Sequence, residues 1–119
     1  MHSLSRSLGG LSPRLHHGTL STIFLPVVIA FNAFAELVQK EQRLEHMAQA
    51  MDFSGPAALG EAILSMNARL GLPTGLHQLD VSPDIFPKII EGALKDHFQK
   101  TNPRLATPAD YDAMLGASM

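Results

Sequence analysis

The sequence predicts an all-α protein, a bundle of five or six helices making one domain over residues 1–119. Three observations carry this. Apolar residues recur at helical spacing in segment after segment, with polar residues between them. Glycine and proline fall between those segments and punctuate them. No run alternates apolar and polar residues as a half-buried strand does, and Val27-Val28-Ile29, the most strand-like piece, follows directly on Pro26. A chain of 119 residues with 45% hydrophobic and 17% charged residues can bury one compact core.

The elements follow in order. Residues 1–8 read as the tail of a helix whose front is missing, stopped by Gly9, Gly10 and Pro13. A second helix starts near Gly18 and runs to about Asn32, with Pro26 kinking or dividing it. From Ala33 to Met51, Phe34, Leu37, Val38, Leu44, Met47, Ala48 and Met51 form an apolar stripe, and Glu36 and Lys40 pair one turn apart on the polar side. Ser54-Gly55-Pro56 closes that helix. Leu59, Ala62, Ile63, Met66 and Leu70 make the next stripe, ended by Gly71 and Pro73. After a connector over Leu76–Val81, Asp84 is expected to cap a helix with Pro87 in its first turn and Phe86, Ile89, Ile90, Ala93, Leu94 and Phe98 on its buried face. Thr107, Pro108 and Asp110 then read as a cap, a first-turn proline and an acid at the third helical position, opening a last helix that buries Tyr111, Met114 and Leu115.

Composition excludes several classes of function. The net charge is -2 and the arginines at 6, 14, 43, 69 and 104 are scattered, which argues against a nucleic-acid partner. There is no cysteine, so neither disulfides nor thiolate ligands exist, and a reducing, cytoplasmic setting is expected. The apolar stretch from Ile23 to Val38 is interrupted by Pro26, Asn32 and Glu36 and falls short of the ~20 residues a membrane helix needs, so no membrane association is expected.

Among the six histidines, His2 and His17 stand out. The glycines and Pro13 between them place them on different elements, and a loop between two helices can bring the end of one beside the start of the next. His17 falls at a helix N-terminus, where the dipole disfavours protonation and keeps the imidazole in its metal-binding form. His16 is the fallback for His17. The alternative is that these are capping or solvated side chains, since the spacing matches no short metal motif. His46 is expected in solvent, His77 in a polar connector, and His97 as a partly buried side chain at the edge of an apolar stripe.

His2, Arg6 and Leu8-Gly9-Gly10, then His16-His17-Gly18-Thr19-Leu20, then Leu25-Pro26-Val27-Val28 and Phe31-Asn32 form an ordered set. This set resembles the C-terminal domain of the iron-containing (group III) alcohol dehydrogenases. That family shows a histidine, a second four residues on, a Leu-Gly-Gly or Leu-Gly-Ala step, a His-Gly step, and a helix closing on Phe-Asn. Leu70-Gly71-Leu72-Pro73, Asp96, Thr101-Asn102-Pro103-Arg104 and Asp110-Tyr111 are similar to its later landmarks. The resemblance implies a helical metal-site domain that works beside an α/β domain binding NAD(P). It implies a metal held by one aspartate and three histidines, acting as a Lewis acid during hydride transfer. His2 and His17 match two of those ligands, a half-site for Fe2+ or Zn2+.

The departures shape the expectations. The family's aspartate and first histidine ligand lie on an earlier helix, which would fall before residue 1. Its glycine-rich dinucleotide loop has no counterpart here, so this chain alone is not expected to bind NAD(P) or to turn over. Arg6 stands where the family usually has a non-ligand active-site histidine and is expected near the substrate. The chain thus reads as an incomplete piece of a metal-dependent alcohol dehydrogenase. As an alternative it is a helical interaction module that self-associates through Phe24, Val28, Phe31 and Phe34. Its expected partner is a second copy or a complementary nucleotide-binding domain. A further alternative joins His2 and His17 from two subunits across a dimer axis.

Overall fold

The computed structural model describes residues 1–119 and shows seven α-helices, three 3-10 turns and no strand. The helices are α1 (His2–Leu11), α2 (His17–Asn32), α3 (Glu36–Lys40), α4 (Arg43–Ala50), α5 (Ala58–Arg69), α6 (Phe86–Lys95) and α7 (Pro108–Gly116). The 3-10 turns are Leu76–Leu79, Pro83–Ile85 and His97–Thr101. The protein is all-α as the sequence predicts. The count reaches seven because the segment read as one helix from Ala33 to Met51 divides at Gln42, whose φ is 49°. Val38 of α3 and Ala48 of α4, on either side of this residue, are both buried, at 5% and 0% exposure.

Helix α1 runs past both glycines to Leu11. It ends where Ser12 precedes Pro13, because the proline ring drives the residue before it out of the helical region, and Ser12 adopts φ -134° and ψ 79°. Helix α2 is continuous through Pro26, which the sequence analysis expected to kink or divide it. A proline inside a helix leaves the carbonyl four residues earlier without its N–H partner. Here that carbonyl belongs to Thr22, and the buried Asn67 side chain of α5 donates to it from Nδ2 at 3.1 Å. A neighbouring helix thus supplies the hydrogen bond the proline cannot.

The main core lies between α1, α2, α6 and α7, around Leu4, Leu8, Leu20, Phe24, Ile89 and Leu115, all with 0% exposure. Helices α1 and α6 approach closely at Gly92. A Cβ there would collide with Ser7 Oγ, which donates to the Ile89 carbonyl at 2.8 Å. On the other side of α2, Leu59 and Ile63 of α5 bury. The chain end is tied back where Leu76 N–H donates to the Ser118 carbonyl at 2.7 Å.

Several sequence expectations change at the caps and edges. Ser82, not Asp84, caps the turn into α6, accepting from Asp84 N–H at 3.3 Å, while Pro87 sits in the first turn of α6 as expected. Thr107 and Asp110 form the expected reciprocal cap of α7. Phe34, Leu37, Met47, Met51, Met66, Leu70 and Leu94, expected on buried faces, are exposed, with Phe34 reaching 73%. Helices α3 and α4 pack chiefly on each other at the margin, so Leu37, Met47 and Met51 stay exposed while Val38 and Ala48 bury.

Candidate metal centre

The first residue of α1 and the first residue of α2 lie against each other. His2 Nδ1 and His17 Nε2 lie 3.3 Å apart, and their rings stack with centroids 5.3 Å apart and planes 4° from parallel. Both side chains are solvent-accessible. His16 is engaged elsewhere: it is the N-cap of α2, with Nδ1 accepting the Gly18 N–H at 3.2 Å. His46 and His77 are exposed, with His77 beside the Met119 carbonyl at the chain end. His97, expected to be partly buried, has a side chain 67% exposed, because it belongs to the 3-10 turn after α6 and not to the buried stripe.

The residues present fit part of a metal site. Two nitrogens bound at 2.0–2.1 Å to one tetrahedral ion stand about 3.3–3.4 Å apart. The observed separation of 3.3 Å matches that requirement. The parallel rings must turn about their Cβ–Cγ bonds to aim both lone pairs at one ion. No group of three or more His, Cys, Asp or Glu side chains placed to hold a metal ion gathers anywhere in the chain, and the pair has no third donor beside it.

The wall beside the pair is built by the turn His97–Thr101. Phe98 packs against His2 with ring centroids 5.1 Å apart, and the Arg6 guanidinium lies 5.4 Å from the Phe98 ring centre. Asp96 positions both. Its Oδ1 accepts the Phe98 N–H at 2.8 Å, and its Oδ2 pairs with Arg6 Nε at 3.2 Å. Asp96 is only 11% exposed, whereas Arg6 is 53% exposed. The carboxylate is therefore a buried brace under a largely solvated cation. No local spacing connects Arg6 with Asp96, so only the fold reveals the pair.

Next to His2 opens a cavity of about 210 Å³, lined by Phe98, Asn102, Arg104, Tyr111 and Met114 among others. Its far side is fixed by a clip that sequence spacing did not reveal. Asn32 and Asn102 exchange side-chain amide hydrogen bonds at 3.1 and 2.7 Å. Arg104 lies over the Phe31 ring at 4.1 Å, donates to the Phe31 carbonyl at 3.4 Å and pairs with Asp110 at 3.3 Å. A cation at the C-terminal end of α2 also complements the helix dipole. Burial pushes the Tyr111 phenol above its usual range, and its hydroxyl donates to Gln99 Oε1 at 3.3 Å.

The chain has clear counterparts among known proteins. A profile of the Fe-containing alcohol dehydrogenase family, C-terminal part, matches residues 1–119. A 4-hydroxybutyrate dehydrogenase of Cupriavidus necator is 47% identical over 123 residues, covering 100% of this chain and 32% of the relative. An NAD-dependent methanol dehydrogenase of Bacillus methanolicus is 30% identical, covering 97% of this chain and 31% of its own. Among solved structures, a 1,3-propanediol oxidoreductase superposes with a TM-score of 0.87 at 26% identity, over 99% of this chain and 32% of that one. The chain thus spans about a third of the length of these relatives. With a helical fold shared across its whole length and a profile match from its first residue to its last, the chain belongs to the iron-containing alcohol dehydrogenase family, as the C-terminal part of that family's proteins.

Proposed function

We propose that this chain is the metal-holding helical part of an NAD(P)-linked, metal-dependent dehydrogenase that interconverts a primary alcohol and its aldehyde. The carrying observation is the placement of His2 Nδ1 and His17 Nε2 at 3.3 Å from two different helices. A divalent ion such as Fe2+ or Zn2+ supplies Lewis acidity to the alcohol or carbonyl oxygen when bound. The chain's own part is to present two imidazole nitrogens, to hold the His2 ring against Phe98, and to line the space beside it. The remaining ligands belong to an earlier helix of the helical part, and the nicotinamide site to a complementary nucleotide-binding domain. The substrates named for the relatives, 4-hydroxybutyrate, methanol and 1,3-propanediol, support small aliphatic alcohols as the class. A cytoplasmic setting is supported by the lack of cysteine, and no helix is long and apolar enough to cross a membrane.

The test is a Co2+ titration of the chain followed through its six histidine ring resonances. His2 and His17 should broaden together, before His16, His46, His77 and His97, and His2→Ala or His17→Ala should weaken the effect at the other ring by at least tenfold. Equal broadening of all six rings would exclude a built site.

A second reading rests on one observation, the 73% exposure of Phe34 beside an apolar cavity of about 410 Å³ lined by Ile29, Ala30, Val38 and Leu44. It makes this margin a self-association surface. The surface differs from the one expected from sequence, because Phe24 and Val28 are buried at 0% and 8% and Phe31 is covered by Arg104.

A further inference from the structure

We propose that Arg6 binds the carboxylate of a hydroxy-acid substrate whose hydroxyl lies at the His2–His17 pair. The inference rests on the dehydrogenase reading and adds the substrate class to it. Arg6 lies one turn after His2 on α1, so both side chains leave the same face of the helix. Both touch the same ring, that of Phe98, which spans from the imidazole to the guanidinium. An extended four-carbon hydroxy acid reaches about one helical turn, ~5.4 Å, from hydroxyl to carboxylate. A substrate of that length lying along α1 over Phe98 would meet a metal-bearing end and a cationic end.

The guanidinium is prepared for this role. Its Nε forms an ion pair with Asp96 at 3.2 Å, and no hydrogen bond within the chain engages either terminal nitrogen. These two nitrogens carry the donors that grip a carboxylate in a bidentate fork. Asp96 has both oxygens occupied, one by Arg6 and one by the Phe98 N–H, and lies beneath the cation at 11% exposure. It orients the fork without competing for its open side. The neighbouring charged and titratable group is His97, 3.7 Å from Asp96 and packed against Phe98 at a tilt of 34°. The other arginine nearby is committed: Arg104 spends its terminal nitrogens on the Phe31 carbonyl and on Asp110. Methanol and propanediol offer no anion to such a fork. The relative at 47% identity carries the name of a four-carbon hydroxy acid.

Two measurements test the proposal. In the first, the 15N-labelled chain is titrated with 4-hydroxybutyrate and with butane-1,4-diol, its uncharged counterpart. The acid should shift the Arg6 side-chain and Phe98 backbone signals saturably, and the diol should leave Arg6 in place. Identical responses to acid and diol would overturn the proposal. In the second, residues 1–119 replace the matching C-terminal third of the Cupriavidus necator 4-hydroxybutyrate dehydrogenase, and KM is measured for acid, diol and NAD. Arg6→Gln should raise KM for the acid at least tenfold relative to the diol, and Arg6→Lys, which keeps the charge and loses the fork, should fall between. Equal loss on acid and diol would make Arg6 a structural brace for Asp96 and end the proposal. A rise confined to the KM for NAD would assign the cation to cofactor phosphates and end it as well. A chimera that binds NAD and folds but turns over neither alcohol before any substitution would instead overturn the dehydrogenase reading itself.

Discussion

At the scale of single residues, the contrast between His2–His17 and His16 shows what adjacency in sequence leaves open. His16 and His17 are neighbours, yet one caps α2 through Gly18 and the other faces His2. Spacing alone could nominate either, since the choice depends on where the helix begins. Thr107 and Asp110 were legible because a cap is a local device: the acid three residues on reaches back to the Thr107 N–H at 2.8 Å. That bond, and the Thr107 hydroxyl beside it, hold the Asp110 carboxyl below its ordinary value of 3.8. A carboxyl depressed in the folded state adds stability above its unfolded value and loses it as pH falls through the folded one. In urea melts, wild type should therefore exceed Asp110→Asn by a constant margin near neutrality, and the margin should shrink progressively below pH 3.8. Thr107→Ala should cost about 1 kcal/mol at neutral pH. A margin for Asp110→Asn that does not change with pH would show that the carboxylate contributes no charge-dependent cap.

At the scale of elements, stripes and punctuation made the helices legible, and what they missed was held by distant partners. The break at Gln42 escaped notice because the left-handed residue there is neither glycine nor asparagine. Pro26, expected to kink or divide α2, does not divide it, and the compensating group, Asn67, lies 45 residues away where no local reading finds it. The two positions should be energetically coupled. Asn67→Leu removes the donor to the Thr22 carbonyl while keeping the volume, and leaving a buried acceptor unpaired costs about 1–3 kcal/mol. Pro26→Ala returns a backbone N–H to that carbonyl. Pro26→Ala should therefore stabilise the Asn67→Leu protein by about 1 kcal/mol more than it changes the wild type. Denaturant melts of the four proteins measure this, and additivity within about 0.5 kcal/mol would mean Asn67 has no part in sustaining α2.

At the scale of the whole molecule, the chain is a slab of 37 × 32 × 18 Å with a radius of gyration of 14.2 Å, against about 13.5 Å for a compact globule of this length. A thickness of 18 Å admits about two layers of helices. Two layers bury one seam well, here the α1–α2–α6–α7 core, and leave the margins thin. That is why the apolar stripes of α3 and α4, plain in the sequence, were only part of a guide to burial, with Val38 and Ala48 covered and Phe34, Leu37, Met47 and Met51 not: periodicity reports which face is apolar, not whether anything lies against it. An apolar margin of this kind, with Phe34 at 73% exposure and Leu44 and Val38 beside it, favours burial against another surface. Sedimentation of the chain alone should then show species heavier than 12.9 kDa that grow with concentration. Phe34→Ser should move the profile towards the monomer, and because the side chain is exposed it should leave the helical circular-dichroism signal intact. Leu105→Ser, at a position 63% exposed and outside this margin, should leave association unchanged. Association insensitive to Phe34→Ser, or equally sensitive to both substitutions, would place the contact elsewhere and remove the margin of α3 and α4 as the surface that another polypeptide covers.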